Sequence, residues 1–417
     1  MKEIAKSTPK RAITLGGGGP AAGLHIGALR ALHSAGIKFN VWSLSCIGAW
    51  VGIVYNQCDD GREVEQTYQF FRDKVFRDDE SYERFPINSV FGSDWFGNSR
   101  AIMDFAFNPE SYKHLWQPHK MVDAFNETMS LMYDHSPMRR NYQKWDRGDI
   151  NGWLLNQVLA PNPAVRYLTS LMYLSNITGL SRINYPDSEF MKRIKFDRLF
   201  EKGKPWIFHN AWNLDAQELA FFSNYPMKDK GYKGDIEAST LCACSALPFV
   251  EETVKIDGAT YCEGALVDTV NFRSLLEEHP DLDEIWISRI VDAKQIRKPD
   301  NLHDALANLC QLFAATVGED DVKLFKYHLR YPEAGQKPWK GTVVEIQVPS
   351  TIDFKWNHSN LDKGQRLGRA AAEKAIEAYR AAGDNGTGEV RFINELNPKP
   401  GPQHGGHKHG GHKAAAE

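Results

Sequence analysis

Four consecutive glycines, Gly16-Gly17-Gly18-Gly19, separate a short apolar run, Ala12-Ile13-Thr14-Leu15, from a segment of helical spacing that runs from Ala21 to Leu32. The second segment is made of good helix formers. A strand that enters glycines and leaves them as a helix has several unpaired backbone N–H groups aimed at one spot. Such a cluster binds an anion, either a phosphate or the oxyanion of an acyl-transfer intermediate. Gly17, Gly19 and Ala22 also fit a dinucleotide-binding loop. That fingerprint needs an acidic residue about 20 positions on, at the end of the second strand. The second strand here ends in Ser43-Leu44-Ser45-Cys46, with no acid. The oxyanion reading is therefore the stronger.

The stretch Val41-Trp42-Ser43-Leu44-Ser45-Cys46-Ile47-Gly48-Ala49 reads as a nucleophile elbow. A strand must stop abruptly and a helix begin, and small residues such as Gly48 and Ala49 let the backbone turn tightly under the reactive atom. The strict pattern has Gly at position 44 and Ser at position 46. This chain carries Leu44 and Cys46, so the nucleophile position holds sulfur.

Together these motifs resemble the patatin-like phospholipases, and further matches follow in the family's order. Ala211-Trp212-Asn213-Leu214-Asp215-Ala216-Gln217-Glu218, continued by Phe221-Phe222-Ser223, is similar to the family's central strand and turn. Ala243-Cys244-Ser245-Ala246-Leu247-Pro248-Phe249 resembles its Ala-Ser-x-x-x-Pro segment, and residues 362–382 resemble its closing helix. The resemblance implies an α/β three-layer sandwich with a mostly parallel central sheet and an inserted, mainly helical cap. It implies an oxyanion hole at Gly17, Gly18 and Gly19, and a two-residue catalytic dyad whose nucleophile falls at Cys46. The family usually has Arg where this chain has Ala21, which removes a charged anchor and weakens the case for phospholipid head-group preference.

Two residues compete for the dyad acid. Asp257-Gly258-Ala259 spells the family's late motif outright. It also lies between Val254-Lys255-Ile256 and Thr260-Tyr261-Cys262, and an Asp-Gly pair between two strand-like runs is the strongest local signal for a type I′ hairpin turn. Placing the motif at Glu263-Gly264-Ala265 instead makes Glu263 the acid, and this register is favoured. Asp268 is assigned no chemistry.

Moving a proton from an ordinary thiol to an ordinary Glu spans roughly 4 pKa units, or about 6 kcal/mol. The N-terminus of the helix from Ile47 is expected to favour the thiolate, and burial to raise the Glu263 value. Both effects shrink the gap and make Cys46 a nucleophile with Glu263 as proton acceptor and donor. Sulfur also shifts the substrate class, because attack on an acyl thioester exchanges near-equal bonds. Three functions follow as expectations. The leading one is an acyl hydrolase cleaving lipid-type esters or thioesters through a Cys46 acyl-enzyme. The others are an acyltransferase to a non-water acceptor, and a non-catalytic binding protein on the same fold.

Composition bounds the partners. A net charge of −3 without a basic block gives no electrostatic support for nucleic-acid binding. No apolar run reaches the ~18 residues of a membrane span, which leaves peripheral contact as the form of membrane association. The start of the chain lacks the apolar centre of a signal peptide. The six cysteines form no paired framework, and Cys242-Ala243-Cys244 is too tight for a usual zinc site. A cytoplasmic protein with no cofactor and no bound metal is expected, with an apolar acyl-bearing molecule or lipid as substrate. A core is expected at residues 10–55 and 206–395, with an aromatic-rich cap at 56–205 over the site. Most of its aromatics are expected to form the cap's own core, with helical character at 63–76 and 153–174. The Gly/His-rich tail, 396–417, cannot bury a core and is expected to be disordered. His25 and His358 are expected to be structural or surface residues.

Overall fold

A computed structural model describes residues 8–395 apart from 87–93, 113–117, 135, 137–145, 161, 176, 183–184, 291–295, 333–337, 349–351, 384 and 386–387. The His-rich tail and the aromatics Phe91, Trp116 and Trp145 lie outside the described residues. The strands are β1 (Arg11–Leu15), β2 (Val41–Leu44), β3 (Gly179–Ser181), β4 (Trp206–Asn213), β5 (Glu218–Ser223), β6 (Tyr232–Asp235), β7 (Phe249–Glu251), β8 (Val254–Ile256), β9 (Ala259–Glu263), β10 (Glu284–Arg289), β11 (Thr342–Gln347) and β12 (Arg391–Ile393). The helices are α1 (Ala22–Ser34), α2 (Ile47–Gln57), α3 (Glu63–Lys74), α4 (Asp79–Arg84), α5 (Trp95–Phe107), α6 (Pro118–Asp134), α7 (Arg147–Trp153), α8 (Pro163–Leu174), α9 (Ala238–Cys244), α10 (Phe272–Glu278), α11 (Leu302–Arg330) and α12 (His358–Ala382).

The central sheet runs in the order β12-β11-β10-β1-β2-β4-β5-β6. Every pairing from β12 to β4 is parallel. β5 returns antiparallel beside β4, and the β8–β9 hairpin adds a second antiparallel partner to β4. Alternation along the strands divides the interior in two. Ile13 and Leu15 of β1 join a core with α1, α2 and α12, whereas Ala12 joins a second core with α10 and α11. Helices thus cover both faces of a mostly parallel sheet, giving the three-layer α/β sandwich that the family resemblance implies.

Helices α1 and α12 touch backbone to backbone. A Cβ on Gly27 would sit 2.1 Å from the Gln365 carbonyl oxygen, and one on Gly368 would sit 2.0 Å from that of Leu24. Glycine at these positions is what brings α12 onto α1, and α1 is the helix that carries the glycine loop.

Between α2 and β4 the chain is mainly helical. Its flanks belong to the main core: Phe71, Phe76 and Phe190 are buried with α1 and α12. Farther in, Phe105 packs edge-on against Tyr167 at 5.7 Å, while Phe96 and Tyr173 are largely exposed. The aromatics therefore divide among the main core, a local cluster and the surface. The expected helical stretch at 153–174 is broken. A π-helical turn at Leu154–Leu159 follows α7, and Asn162 then caps α8, its side chain accepting from Ala164 N–H at 2.9 Å ahead of Pro163. An Asn cap followed by Pro at the first helical position starts a new helix. No helix among the described residues is long and apolar enough to cross a membrane.

Candidate active site

β2 ends at Leu44, and α2 begins at Ile47. Between them Cys46 takes φ 48° and ψ −124°. A positive φ in a non-glycine residue is strained, and strained turns of this kind expose a nucleophile at the top of a sheet. Gly48 makes the turn feasible, since a Cβ there would lie 2.1 Å from the Leu15 carbonyl oxygen. The departure at Leu44 has a local explanation. Its side chain fills the space above Gly52 of α2, where a Cβ would come within 2.6 Å of both Leu44 methyl groups. The Cys46 N–H donates to Cys244 Sγ at 3.1 Å.

Glu263 is the last residue of β9, opposite Ala211 of β4, and it is buried. Its N–H donates to the Ala246 carbonyl at 2.9 Å, and its carboxylate lies beside the Cys46 thiol, close enough for each to shift the other's pKa. Asp257 lies elsewhere. It occupies the β8–β9 turn with φ 49°, followed by Gly258 at φ 84°. Both central residues have the positive φ of a type I′ hairpin.

The glycine loop runs past this pair. A Cβ on Gly17 would stand 3.1 Å from Cys46 Cβ, 3.3 Å from Ala265 Cβ and 3.7 Å from Glu263 Oε1. Gly19, with φ 54°, lies under the Phe354 ring, which a Cβ would meet at 3.0 Å. Gly18 uses its carbonyl to accept from Ala21 N–H at 3.2 Å, and Ala21 is buried in the short turn that follows. Gly17 is thus brought against Cys46 and Glu263, and Gly18 and Gly19 follow it in the same loop. The polar contacts of His25 are with the start of the loop and with Ser288 rather than with Cys46. The imidazole is buried, its Nε2–H donating to the Gly16 carbonyl and its Nδ1 accepting from Ser288 Oγ, each at 2.9 Å. Burial holds its pKa near about 4, so it stays neutral and braces the start of the loop. His358 contacts the Arg72 carbonyl at 2.9 Å, away from the pair.

The electrostatics correct one expectation. Burial pushes Glu263 up to about 7, against the lowering effect of its hydrogen bond with Cys46. The Cys46 thiol, however, also moves well above its ordinary value, through burial first and the Glu263 carboxylate second. The Ile47 N–H at the start of α2 opposes this, but as the smallest of the named influences. The helix N-terminus therefore does not produce a standing thiolate. Cys46 is held as a neutral thiol, beside a carboxyl that changes protonation around neutral pH.

Residues 13–276 match the profile of the patatin-like phospholipases. The chain belongs to the patatin-like phospholipase family. The match covers β1 through most of α10 and so includes both the elbow and the Glu263 segment. Among solved structures, VipD from Legionella pneumophila is similar at 13% identity, with a TM-score of 0.37 over 89% of this chain and 67% of VipD. The type III effector ExoU is similar at 10% identity, with a TM-score of 0.21 over 88% of this chain and 53% of ExoU. This chain thus spans about half of ExoU. No curated protein matches the sequence.

Four residues that sequence reasoning passed over surround this patatin-like elbow: Ser45, Asn210, Cys244 and Asn271 are each bonded to it or to a partner of it. Cys244 lies in the quoted Ala243–Phe249 match, at the position of the family's Ser, which was a usable signal. Asn210 and Asn271 gave none. A buried Asn and a surface Asn look alike in sequence until the strands around them are paired.

Proposed function

We propose that this chain is an acyl hydrolase acting on lipid-type esters or thioesters, with Cys46 as nucleophile, Glu263 as acid and base, and backbone N–H groups of Gly17 to Gly19 as the oxyanion hole. The observation that carries this reading is a strained residue at the elbow with, beside its thiol, a buried carboxylate that titrates at about 7. The neighbouring Gly17 and the family membership support it.

In the acylation step, the Cys46 sulfur attacks the acyl carbonyl carbon as the thiol proton passes to Glu263. The oxyanion collapses and the bond to the leaving oxygen or sulfur breaks. Glu263 returns its proton to that leaving group, and a thioester remains on Cys46. In the second step a water gives its proton to Glu263 and attacks the thioester. The carboxylic acid leaves, and the sulfur recovers the proton. Burial matches the base to this work, because a carboxyl titrating near the working pH both accepts and donates readily.

A second reading is transfer of the acyl group to another hydroxyl or thiol. The small exposure of Glu263 favours it, since exclusion of water protects the acyl-enzyme. The aromatic-rich segment 56–205 serves as the cap in either case.

A chromogenic acyl ester and the matching acyl thioester test the proposal. Intact mass should reveal an acyl adduct that maps to Cys46. Cys46→Ala should lower kcat/KM by at least about 10³-fold. Cys46→Ser should keep measurable ester hydrolysis, because Glu263 already acts on a neutral nucleophile. Absence of any Cys46 adduct with both substrates would leave only a non-catalytic binding role. Product carrying the acyl group on an added alcohol, in preference to free acid, would decide for transfer.

A further inference from the structure

β2 and β9 share one edge of β4. β5 fills the other edge from Phe208 to Asn213. β2 is paired as far as Leu44↔His209, and β9 runs in from the opposite direction to Ala211↔Glu263. The nucleophile and the acid therefore leave two strand ends that face each other across a gap. The β4 residue between these two endpoints is Asn210.

Its side chain is fully buried and spans that gap. Oδ1 accepts from Ser45 Oγ, one residue before Cys46, at 3.2 Å. The same amide lies against Gly264, one residue after Glu263, so closely that a Cβ there would meet Asn210 Cγ and Oδ1 at 2.8 Å. Nδ2 donates to the Asp268 carbonyl and to Asn271 Oδ1, both at 2.7 Å. Asn271 is also fully buried and sits in the left-handed region at φ 52°. Its Nδ2 reaches back to the Leu44 carbonyl at 3.4 Å and to Ser45 Oγ at 3.3 Å. Two backbone carbonyls, which can only accept, fix which end of each amide donates. One acceptor and two donors on a short planar group are all used, and only Asn offers that set at this size.

We infer that Asn210 is a positioning residue that sets the separation between the Cys46 sulfur and the Glu263 carboxylate, with Asn271 holding it in one orientation. The inference rests on the Cys46–Glu263 reading of the site. Asp at 210 would turn a carboxylate oxygen toward two acceptors, the Asp268 carbonyl and Asn271 Oδ1, and force the strand ends apart. A displacement of about 1 Å at a reacting centre costs on the order of 10²-fold in rate.

The test is the pH dependence of Cys46 alkylation by iodoacetamide, followed by peptide mass, because it reads the pair without any acyl substrate. Wild type should show a limb that rises as Glu263 ionises, and Glu263→Gln should lack it. Asn210→Asp should lose that limb, with the Cys46 rate at pH 8 falling by roughly tenfold or more. Ser45→Ala deletes a single hydroxyl and should lower the rate by about threefold, in keeping with one neutral hydrogen bond. Val343→Ala, a core truncation in β11, should leave the limb in place. If Asn210→Asp does not fold, Ser45→Ala decides the matter. A limb unchanged in both site variants, or lost equally in Val343→Ala, overturns the positioning role alone. Identical profiles for wild type and Glu263→Gln overturn the dyad and this inference together.

Discussion

At the scale of single residues, Glu263 is held where an ionised carboxylate is poorly solvated. Its folded pKa of about 7 lies above the ordinary 4.5, so Glu263 contributes stability at low pH that is lost as pH rises through about 7. A neutral isostere escapes that loss. Glu263→Gln is therefore expected to be more stable than wild type at pH 8, by about 3 kcal/mol at most, and no more stable at pH 4. It should also lose about 10²–10⁴-fold in turnover. Urea unfolding at the two pH values measures the first effect, and equal stability differences at both would contradict a buried, raised carboxyl. Cys46 was legible in the sequence because an elbow leaves a local pattern of small residues after a strand. Glu263 was reached through the register of the family resemblance, once the Asp-Gly hairpin signal had moved attention off Asp257. The protonation state of Cys46 was not legible, because it depends on burial and on a carboxylate more than 200 positions away in the sequence.

At the scale of elements, the glycine loop depends on how tightly α1 and α12 pack. A methyl group on Gly27 or Gly368 would collide with backbone of the partner helix at about 2 Å, and backbone cannot yield as a side-chain tip can. Gly368→Ala is expected to lose several kcal/mol, well beyond the ~1 kcal/mol range of an ordinary surface change. Gly36→Ala gives a contrast: no atom lies within 4 Å of a Cβ there, and only the strain of φ 73° is added. Thermal unfolding of the two variants should separate by many degrees, and similar melting temperatures would refute the close-packing argument. The helix from the glycine loop was readable from its spacing, and the closing helix from the family resemblance. The closing helix starts at His358 rather than near 362, because the Asn357 side chain caps it by accepting from Asn360 N–H at 3.3 Å. That the two helices touch through glycines was not readable, since neither sequence names its partner.

For the whole molecule, three buried imidazoles set the acid limit. His25, His209 and His279 each titrate near about 4, with burial the main cause. Their folded values lie below the ordinary 6.5, so the stability they contribute is full above 6.5 and is lost as pH falls through about 4. Each amounts to about 3 kcal/mol at most. Glu263 and Asp321, both raised to about 7, act in the opposite sense. Stability by urea unfolding should therefore be greatest near pH 6.5 and fall only modestly towards pH 4, because the two carboxyls offset most of the imidazole loss. A clear rise in stability from pH 6.5 to pH 4 would mean that the imidazoles are not buried in the neutral form and leave the carboxyls unopposed. By itself the sequence determined the glycine loop and the elbow, because each is encoded within a dozen neighbouring residues by backbone sterics and periodicity, while the layered α/β class followed from the family resemblance those motifs carry. The tertiary structure alone decided which strand ends face each other across β4, and that Cys46 rests as a neutral thiol. Those outcomes come from desolvation and from pairing between distant segments, and neither leaves a trace in local sequence.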